Sequence, residues 1–123
     1  MNFSIAIRES GGITVLDVVG QSTLASHGTD EFSRYVKKLI AEGKHKILLN
    51  LSELTQIDST GVSVIVGACA SLRNRQGELK LLRPHGRVLE VLNVLRLLKV
   101  IPSFDDEAEA LASFETKGLA VQT

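Results

Sequence analysis

The chain has 123 residues, 44% hydrophobic and 23% charged, which suits one domain with one sizeable core. Its 14 basic residues balance 14 acidic residues and only 4% are aromatic, which argues against nucleic-acid binding. A single cysteine excludes an internal disulfide, and there is no secretory signal or apolar run of membrane-spanning length. These features predict a cytoplasmic protein without membrane insertion.

The chain opens with a predicted β-hairpin. Phe3–Arg8 alternates apolar and polar side chains, which is strand periodicity. Glu9–Gly12 is a turn, and the β-branched stretch Ile13–Val19 is a second strand.

A helix and a buried strand are predicted next. After the polar segment Gly20–Gly28, Ser26 or Thr29 could cap a helix that Gly43 ends. Its apolar positions recur at helical spacing and are Phe32, Val36, Leu39 and Ile40. Lys46–Leu51 is nearly all apolar, as expected of a central strand.

The second half alternates helices and strands. Predicted strands are Glu78–Leu82, after Gly77, and an edge segment at Val100–Phe104. Three helices are predicted, with inward residues Val62, Ile65, Val66, Cys69 and Leu72 in the first, Val88, Leu92 and Leu95 in the second (Arg87–Leu98), and Ala108, Leu111 and Ala112 in the third.

This order of elements predicts an α/β fold with a mostly parallel central sheet, an N-terminal hairpin and helices packed against the sheet. We expect a single domain over residues 1–117 and a flexible tail at 118–123.

The motif Ile57-Asp58-Ser59-Thr60-Gly61 lies between the central strand and an apolar helix. Oriented N–H groups at a helix start favour a phosphate. Ser59 could therefore be a phosphoacceptor, or simply the cap of the helix, since Asp and Ser are both favoured there. The two interpretations are compatible.

Nothing in the sequence predicts catalysis. His27, His45 and His85 are distant from Ser59 in sequence, although a triad could assemble in space. There is no Gly-Xaa-Ser-Xaa-Gly elbow, no Walker-type phosphate loop and no histidine pair with metal-binding helical spacing. We therefore predict no enzymatic activity, no metal and no cofactor.

The chain resembles the STAS domain of bacterial anti-sigma factor antagonists over nearly its whole length. The resemblance rests on the hairpin, the Gly20 loop, the Lys46–Leu51 strand, the Asp58-Ser59-Thr60-Gly61 motif and Gly77 before the next strand. It implies a STAS-like fold. The chain departs from many members in the loop after the second strand, which reads Gly20-Gln21-Ser22-Thr23-Leu24 without their acidic residue.

The resemblance also implies a function. Unphosphorylated antagonists bind an anti-sigma factor that is also a serine kinase, are released when it phosphorylates them, and are restored by a serine phosphatase. Carried over, Ser59 is the acceptor, with Thr60 and Ser63 less favoured, while Asp58 and Gly61 support the site.

A partner surface is predicted around this site. The outward face of the helix after Ser59 carries small residues and no Lys or Glu before Arg73, so a partner could approach closely; the alternative is that the protein's own chain covers it. The predicted partner-binding residues are Gln21, Ser22, Thr23, Asp58, Ser59, Thr60, Ser63, Val64 and Gly67. We expect a monomer or weak dimer.

Two other functions remain open. One is a non-switching scaffold subunit of a stressosome-like or lipid-transport complex, where STAS-like domains also occur. The other, ranked lower, is a nucleotide-binding or hydrolase role.

Overall fold

The computed structural model describes residues 3–122, with side chains as far as Phe114. The elements are β1 (Phe3–Ser10), β2 (Ile13–Ser22), α1 (Gly28–Ala41), β3 (Lys46–Ile57), α2 (Ser59–Asn74), β4 (Glu78–Leu82), α3 (Gly86–Val94), a 3-10 turn (Leu97–Lys99), β5 (Ser103–Phe104) and α4 (Glu107–Gln122). Their order is the predicted one. The tail proposed at residues 118–123 lies outside the described side chains, and its flexibility stays a prediction.

The five strands form one sheet in the order β1-β2-β3-β4-β5. β1 and β2 pair antiparallel, whereas β2 with β3, β3 with β4, and β4 with β5 pair parallel. The predicted α/β class is confirmed. Because β2 and β3 run parallel, their carboxyl ends meet at one edge of the sheet, where Ser22 is paired with Ile57. The loop after β2 is therefore placed beside the start of α2.

The sheet separates two hydrophobic cores. Leu49, together with Phe32 of α1 and Ile65 of α2, belongs to the larger core. Leu48 points to the other face and belongs to a smaller core with Phe114 of α4. Neighbouring strand residues face opposite sides. The nearly continuous apolar sequence of β3 thus reflects burial on both faces, as predicted.

The buried Lys80 side chain helps to fix α4 against the sheet. Its Nζ donates to Ser113 Oγ at 2.8 Å, forms an ion pair with Glu78 at 3.4 Å and lies 4.6 Å from the Phe114 ring centroid. A buried cation with these partners is hydrogen-bonded and stacked rather than isolated.

Two predicted inward residues are exposed. Val66 is 43% exposed, because it lies about 100° around α2 from the buried Ile65 and outside the apolar stripe. Leu95 is 51% exposed, because α3 ends at Val94, well short of the predicted Leu98. The next residue, Arg96, has φ 59°, a left-handed conformation that interrupts the helix.

The C-terminal elements also differ from the prediction. β5 is limited to Ser103–Phe104 at the sheet edge, since Pro102 before it has no N–H to donate. Among the described side chains of α4, Ala110 and Phe114 are buried and Leu111 is half-buried. Ala108 and Ala112, predicted to face inward, are exposed, so the apolar face is rotated from the predicted one.

Candidate functional site

The N-terminus of α2 is capped by Asp58. Its Oδ1 accepts the N–H groups of Thr60 at 2.9 Å and Gly61 at 3.3 Å. Ser59 is the first residue of the helix, so the suggestion that Ser59 itself is the cap was wrong. Since the carboxylate accepts the N–H groups of Thr60 and Gly61, the hydroxyl of Ser59 is not needed for capping.

The same carboxylate holds the loop after β2. Asp58 Oδ2 accepts the N–H of Leu24 at 2.9 Å, and the N–H of Asp58 donates to the carbonyl of Ser22 at 3.2 Å. Two segments that are far apart in sequence are therefore joined at one residue. The loop and the start of α2 form a single surface.

A chain of hydroxyl groups ends at Asp58. Thr60 Oγ1 donates to Asp58 Oδ1, because an ionised carboxylate only accepts hydrogen bonds. With its proton used, Thr60 must accept from Thr29 Oγ1 at 3.0 Å, and Thr29 in turn must accept from Ser22 Oγ at 3.0 Å. The directions are thus fixed from Ser22 through Thr29 and Thr60 to Asp58.

The start of α1 is not capped as predicted. His27 occupies the N-cap position with φ 63° and makes no side-chain cap. Ser26 Oγ instead accepts the N–H of Gly28, one residue inside the helix, at 3.1 Å. Thr29, the other predicted cap, lies within the helix and its hydroxyl belongs to the chain described above.

Gly61 lies where α2 closely approaches the end of β2. A Cβ atom there would come within 2.6 Å of Ser22 Oγ and 2.7 Å of both the Ser22 carbonyl oxygen and Ile57 Cγ1. No side chain fits without displacement. The hydroxyl chain therefore depends on glycine at this position.

The three candidate acceptor hydroxyls have different surroundings. Ser59 is exposed, and its hydroxyl has no hydrogen-bond partner among residues 3–114. Thr60 is half-buried and its proton is donated to Asp58. Ser63 is exposed, but its Oγ donates to the Ser59 carbonyl at 2.9 Å. Of the three, Ser59 has the least constrained hydroxyl.

The predicted partner-binding loop is less accessible than expected. Ser22 is fully buried with its hydroxyl bonded to Thr29, so its side chain cannot contact a partner, contrary to the prediction. Gln21 and Thr23 are half-buried, whereas the side chain of Leu24 is 66% exposed. Leu24 is not among the partner-binding residues predicted from the sequence, although an apolar residue within a polar loop could have indicated it.

The predicted outward face of α2 is open along part of its length. Ser63, Val64 and Gly67 line a groove of about 280 Å³ between α1 and α2, with Lys37 on the α1 side. Ser63 and Gly67 are exposed, and a Cβ at Gly67 would meet no atom within 4 Å. Among the described side chains, nothing covers this position.

A second groove lies on the other side of Ser59, between the start of α2 and α3. Its volume is about 390 Å³. The lining residues are Ile57, Asp58, Ser59, Val62, Arg87, Glu90, Val91, Val94 and Leu95. Its apolar wall includes Val94, which is 79% exposed, so the serine borders an accessible hydrophobic surface.

No histidine is hydrogen-bonded to the Ser59 side chain among residues 3–114. His45 Nδ1 contacts the carbonyl of Gly43 at 2.8 Å, and His85 Nε2 contacts the carbonyl of Ser52 at 2.7 Å. No Ser–His pair that could activate Ser59 as a nucleophile forms within the described part of the chain. No cluster of metal-binding side chains occurs there either.

Loss of the Asp58 carboxylate should destabilise the protein. Hydrogen bonds from the Thr60 hydroxyl, and then from the Leu24 N–H, hold the pKa of Asp58 below its ordinary value. We expect Asp58→Ala to lower the free energy of unfolding at pH 7 by about 0.5–2 kcal/mol, the usual worth of an N-cap.

The sign of the pH dependence follows. Because the pKa of Asp58 is lower in the folded than in the unfolded state, its carboxylate stabilises the fold fully above the unfolded-state pKa of about 3.9. That stabilisation is lost as the pH falls through the folded-state pKa. The difference between wild type and Asp58→Ala, measured by urea unfolding, should therefore shrink below about pH 4. Glu53→Ala, which removes an exposed carboxylate of β3 that belongs to no helix and has no hydrogen bond to described residues, is the control. An Asp58→Ala deficit as large at pH 2 as at pH 7 would contradict the assignment.

Comparisons with known proteins agree with this fold. The STAS domain family model matches residues 4–110. The chain is 27% identical over 116 residues to the anti-sigma F factor antagonist of Paenibacillus polymyxa, covering 94% of this chain and 97% of that protein.

Solved structures show the same architecture. An anti-sigma factor antagonist from Mycobacterium paratuberculosis superposes with TM-score 0.80 at 14% identity, over 90% of this chain and 92% of the other. The phosphorylated form of the Bacillus cell fate determinant SpoIIAA gives TM-score 0.71 at 20% identity, over 90% and 99%. Within residues 3–122, no helix is long and apolar enough to span a membrane. The chain belongs to the STAS-domain family of anti-sigma factor antagonists.

Proposed function

We propose that this protein works by partner switching in the cytoplasm. Its unphosphorylated form binds an anti-sigma factor that is also a serine kinase, phosphorylation of Ser59 releases it, and a serine phosphatase restores binding. The single observation that carries the proposal is the exposed Ser59 hydroxyl, which has no partner among the described residues at a capped helix start. The similarity to a relative solved in a phosphorylated form supports it.

The phosphate is expected to change the affinity for the partner rather than the stability of the fold. It adds a charge of about −1.5 to −2. The helix start favours each unit of that charge by about 0.3–1 kcal/mol, and ionised Asp58 opposes it by roughly 1 kcal/mol per unit charge in water. These terms largely offset each other in the free protein. At an interface, a buried unpaired charge costs several kcal/mol.

Mass spectrometry of the protein purified from its own host tests the proposal. Intact and peptide masses are compared with and without phosphatase treatment. Phosphate on Ser59 supports partner switching, and phosphate on Thr60 or Ser63 moves the acceptor. No phosphate under any growth condition would favour the scaffold alternative, as would purification in a large particle that is insensitive to Ser59 substitution.

Gly67→Arg should weaken partner binding without unfolding the protein. The position is exposed and lines the α1–α2 groove, so a long cation there obstructs close approach. We expect a loss of at least about tenfold in affinity, equivalent to ~1.4 kcal/mol, in a pulldown followed by calorimetry. Ala112→Arg, exposed on α4 across the sheet, is the control. Unchanged binding by folded Gly67→Arg would place the docking surface elsewhere.

A further inference from the structure

Arg87 is an unpaired cation near the proposed phosphorylation site. It lies in the first turn of α3 and is exposed. Within the described residues its guanidinium forms no hydrogen bond or ion pair, although Glu90, one helical turn later, lines the same groove. By contrast, Arg8 is bound by two carboxylates and Arg83 donates to the carbonyl of Asp105.

Arg87 and Ser59 border one space from opposite walls. The groove of about 390 Å³ has the start of α2 on one side and α3 on the other. A phosphate attached to Ser59 Oγ would enter a space that Arg87 lines, and Arg87 is the single cation among the described residues that line it. The remaining wall is largely apolar and includes Ile57, Val62 and Val91, which reduces the screening of charges by water.

Neither acidic group that lines the groove is paired with Arg87 within the described residues. The lining acids are Asp58 and Glu90. Asp58 already accepts hydrogen bonds from neutral donors and does not form an ion pair with the guanidinium of Arg87. A phosphoserine adds three strong acceptor oxygens, and the planar fork of arginine matches them with two parallel hydrogen bonds. The unmodified protein therefore holds an unused donor beside its acceptor hydroxyl.

We propose that Arg87 is the internal counter-ion of phosphorylated Ser59 and thereby a positioning residue for the switch. The inference rests on the proposed function only in taking Ser59 as the acceptor. In the unmodified protein Arg87 is free to bind an acidic group of the partner. In the phosphorylated protein the phosphate occupies it, so one modification both adds negative charge and removes a cation from the surface.

The test uses the full chain with phosphoserine installed at position 59 during translation, so that no kinase is needed. Phosphorus NMR then gives the second pKa of the phosphate, ordinarily about 6. A nearby guanidinium favours the dianion, so Arg87→Gln should raise this pKa by roughly half a unit or more. Arg87→Lys should restore part of the difference, since lysine is a point charge without the fork. Arg34→Gln, an exposed position on α1, should leave it unchanged.

Identical phosphate pKa values in wild type and Arg87→Gln would overturn the inference while leaving Ser59 as the acceptor. An equal rise in Arg34→Gln would also overturn it, because the effect would then be one of net charge. Absence of phosphate on the protein from its own host would instead count against the proposed function. The two failures are therefore distinguishable.

Discussion

Phosphoserine at position 59 is expected to weaken binding to the cognate anti-sigma factor by about 100-fold or more. Ser59 is exposed beside an open hydrophobic wall that includes Val94, so a docked partner would bury the phosphate. The phosphate carries a charge of about −1.5 to −2, so even when Arg87 pairs with it, roughly half to one negative charge stays uncompensated. Burying such a charge costs several kcal/mol, and each ~1.4 kcal/mol is tenfold in affinity. The free energy of unfolding should change by no more than about 1 kcal/mol, because the helix start and Asp58 act in opposite directions.

Calorimetry with the phosphorylated and unmodified proteins measures the first effect, and denaturant unfolding measures the second. Phosphoserine installed at Ser103, exposed on the edge strand β5, is the control for added charge. If the protein phosphorylated at Ser59 and the unmodified protein bind the partner with equal affinity, phosphorylation of Ser59 is not the switch. A large loss of stability at Ser59 would mean that phosphorylation acts by unfolding the site.

The two glycines of α2 should respond in opposite directions to substitution by alanine. At Gly61 the added Cβ would lie 2.6 Å from Ser22 Oγ and 2.7 Å from the Ser22 carbonyl oxygen, which accepts a hydrogen bond from the Asp58 N–H. Such overpacking typically costs about 1–3 kcal/mol. At Gly67 the Cβ meets nothing within 4 Å, so the gain in helix propensity should stabilise the protein by about 0.5–1 kcal/mol.

Urea unfolding of Gly61→Ala and Gly67→Ala measures this contrast, with each variant serving as the control for the other. The Asp58 N-cap should weaken in Gly61→Ala, visible as faster hydrogen exchange at Leu24 and Thr60. A neutral Gly61→Ala would show that β2 and α2 can separate at little cost. The proposed dependence of the hydroxyl chain on glycine would then be wrong.

The sequence predicted the order of elements because each element carries a local signal. β3 has a continuous apolar run, and Gly77 marks the end of α2 before β4. The mistakes fall where tertiary packing decides. α3 ends early because Arg96 adopts a left-handed conformation, and the buried face of α4 is set by Phe114, which fills the smaller core.

The site was only partly predictable for the same reason. The Asp-Ser-Thr-Gly sequence marks a helix start, and the N-cap preference of Asp could have identified Asp58 as the cap. The contact of Ser22 with Thr29, and of Thr29 with Thr60, depends on the register of β2 against β3 and on the packing of α1. No spacing in the sequence encodes that register. Ser22 was consequently assigned to the surface, although it is buried.

The fixed direction of the hydrogen bonds in the hydroxyl chain determines how many of them are lost when each hydroxyl is removed. Ser22 is the first donor, so removing its hydroxyl deletes one bond and leaves every other donor satisfied. Thr29 both accepts and donates, so removing its hydroxyl deletes two bonds and breaks the hydrogen-bonded link between β2 and α2 through α1. Thr60 also accepts and donates, so removing its hydroxyl deletes two bonds, one of them to the Asp58 carboxylate. The site is thus more tolerant of change at buried Ser22 than at half-buried Thr29 and Thr60, the reverse of what burial alone would suggest.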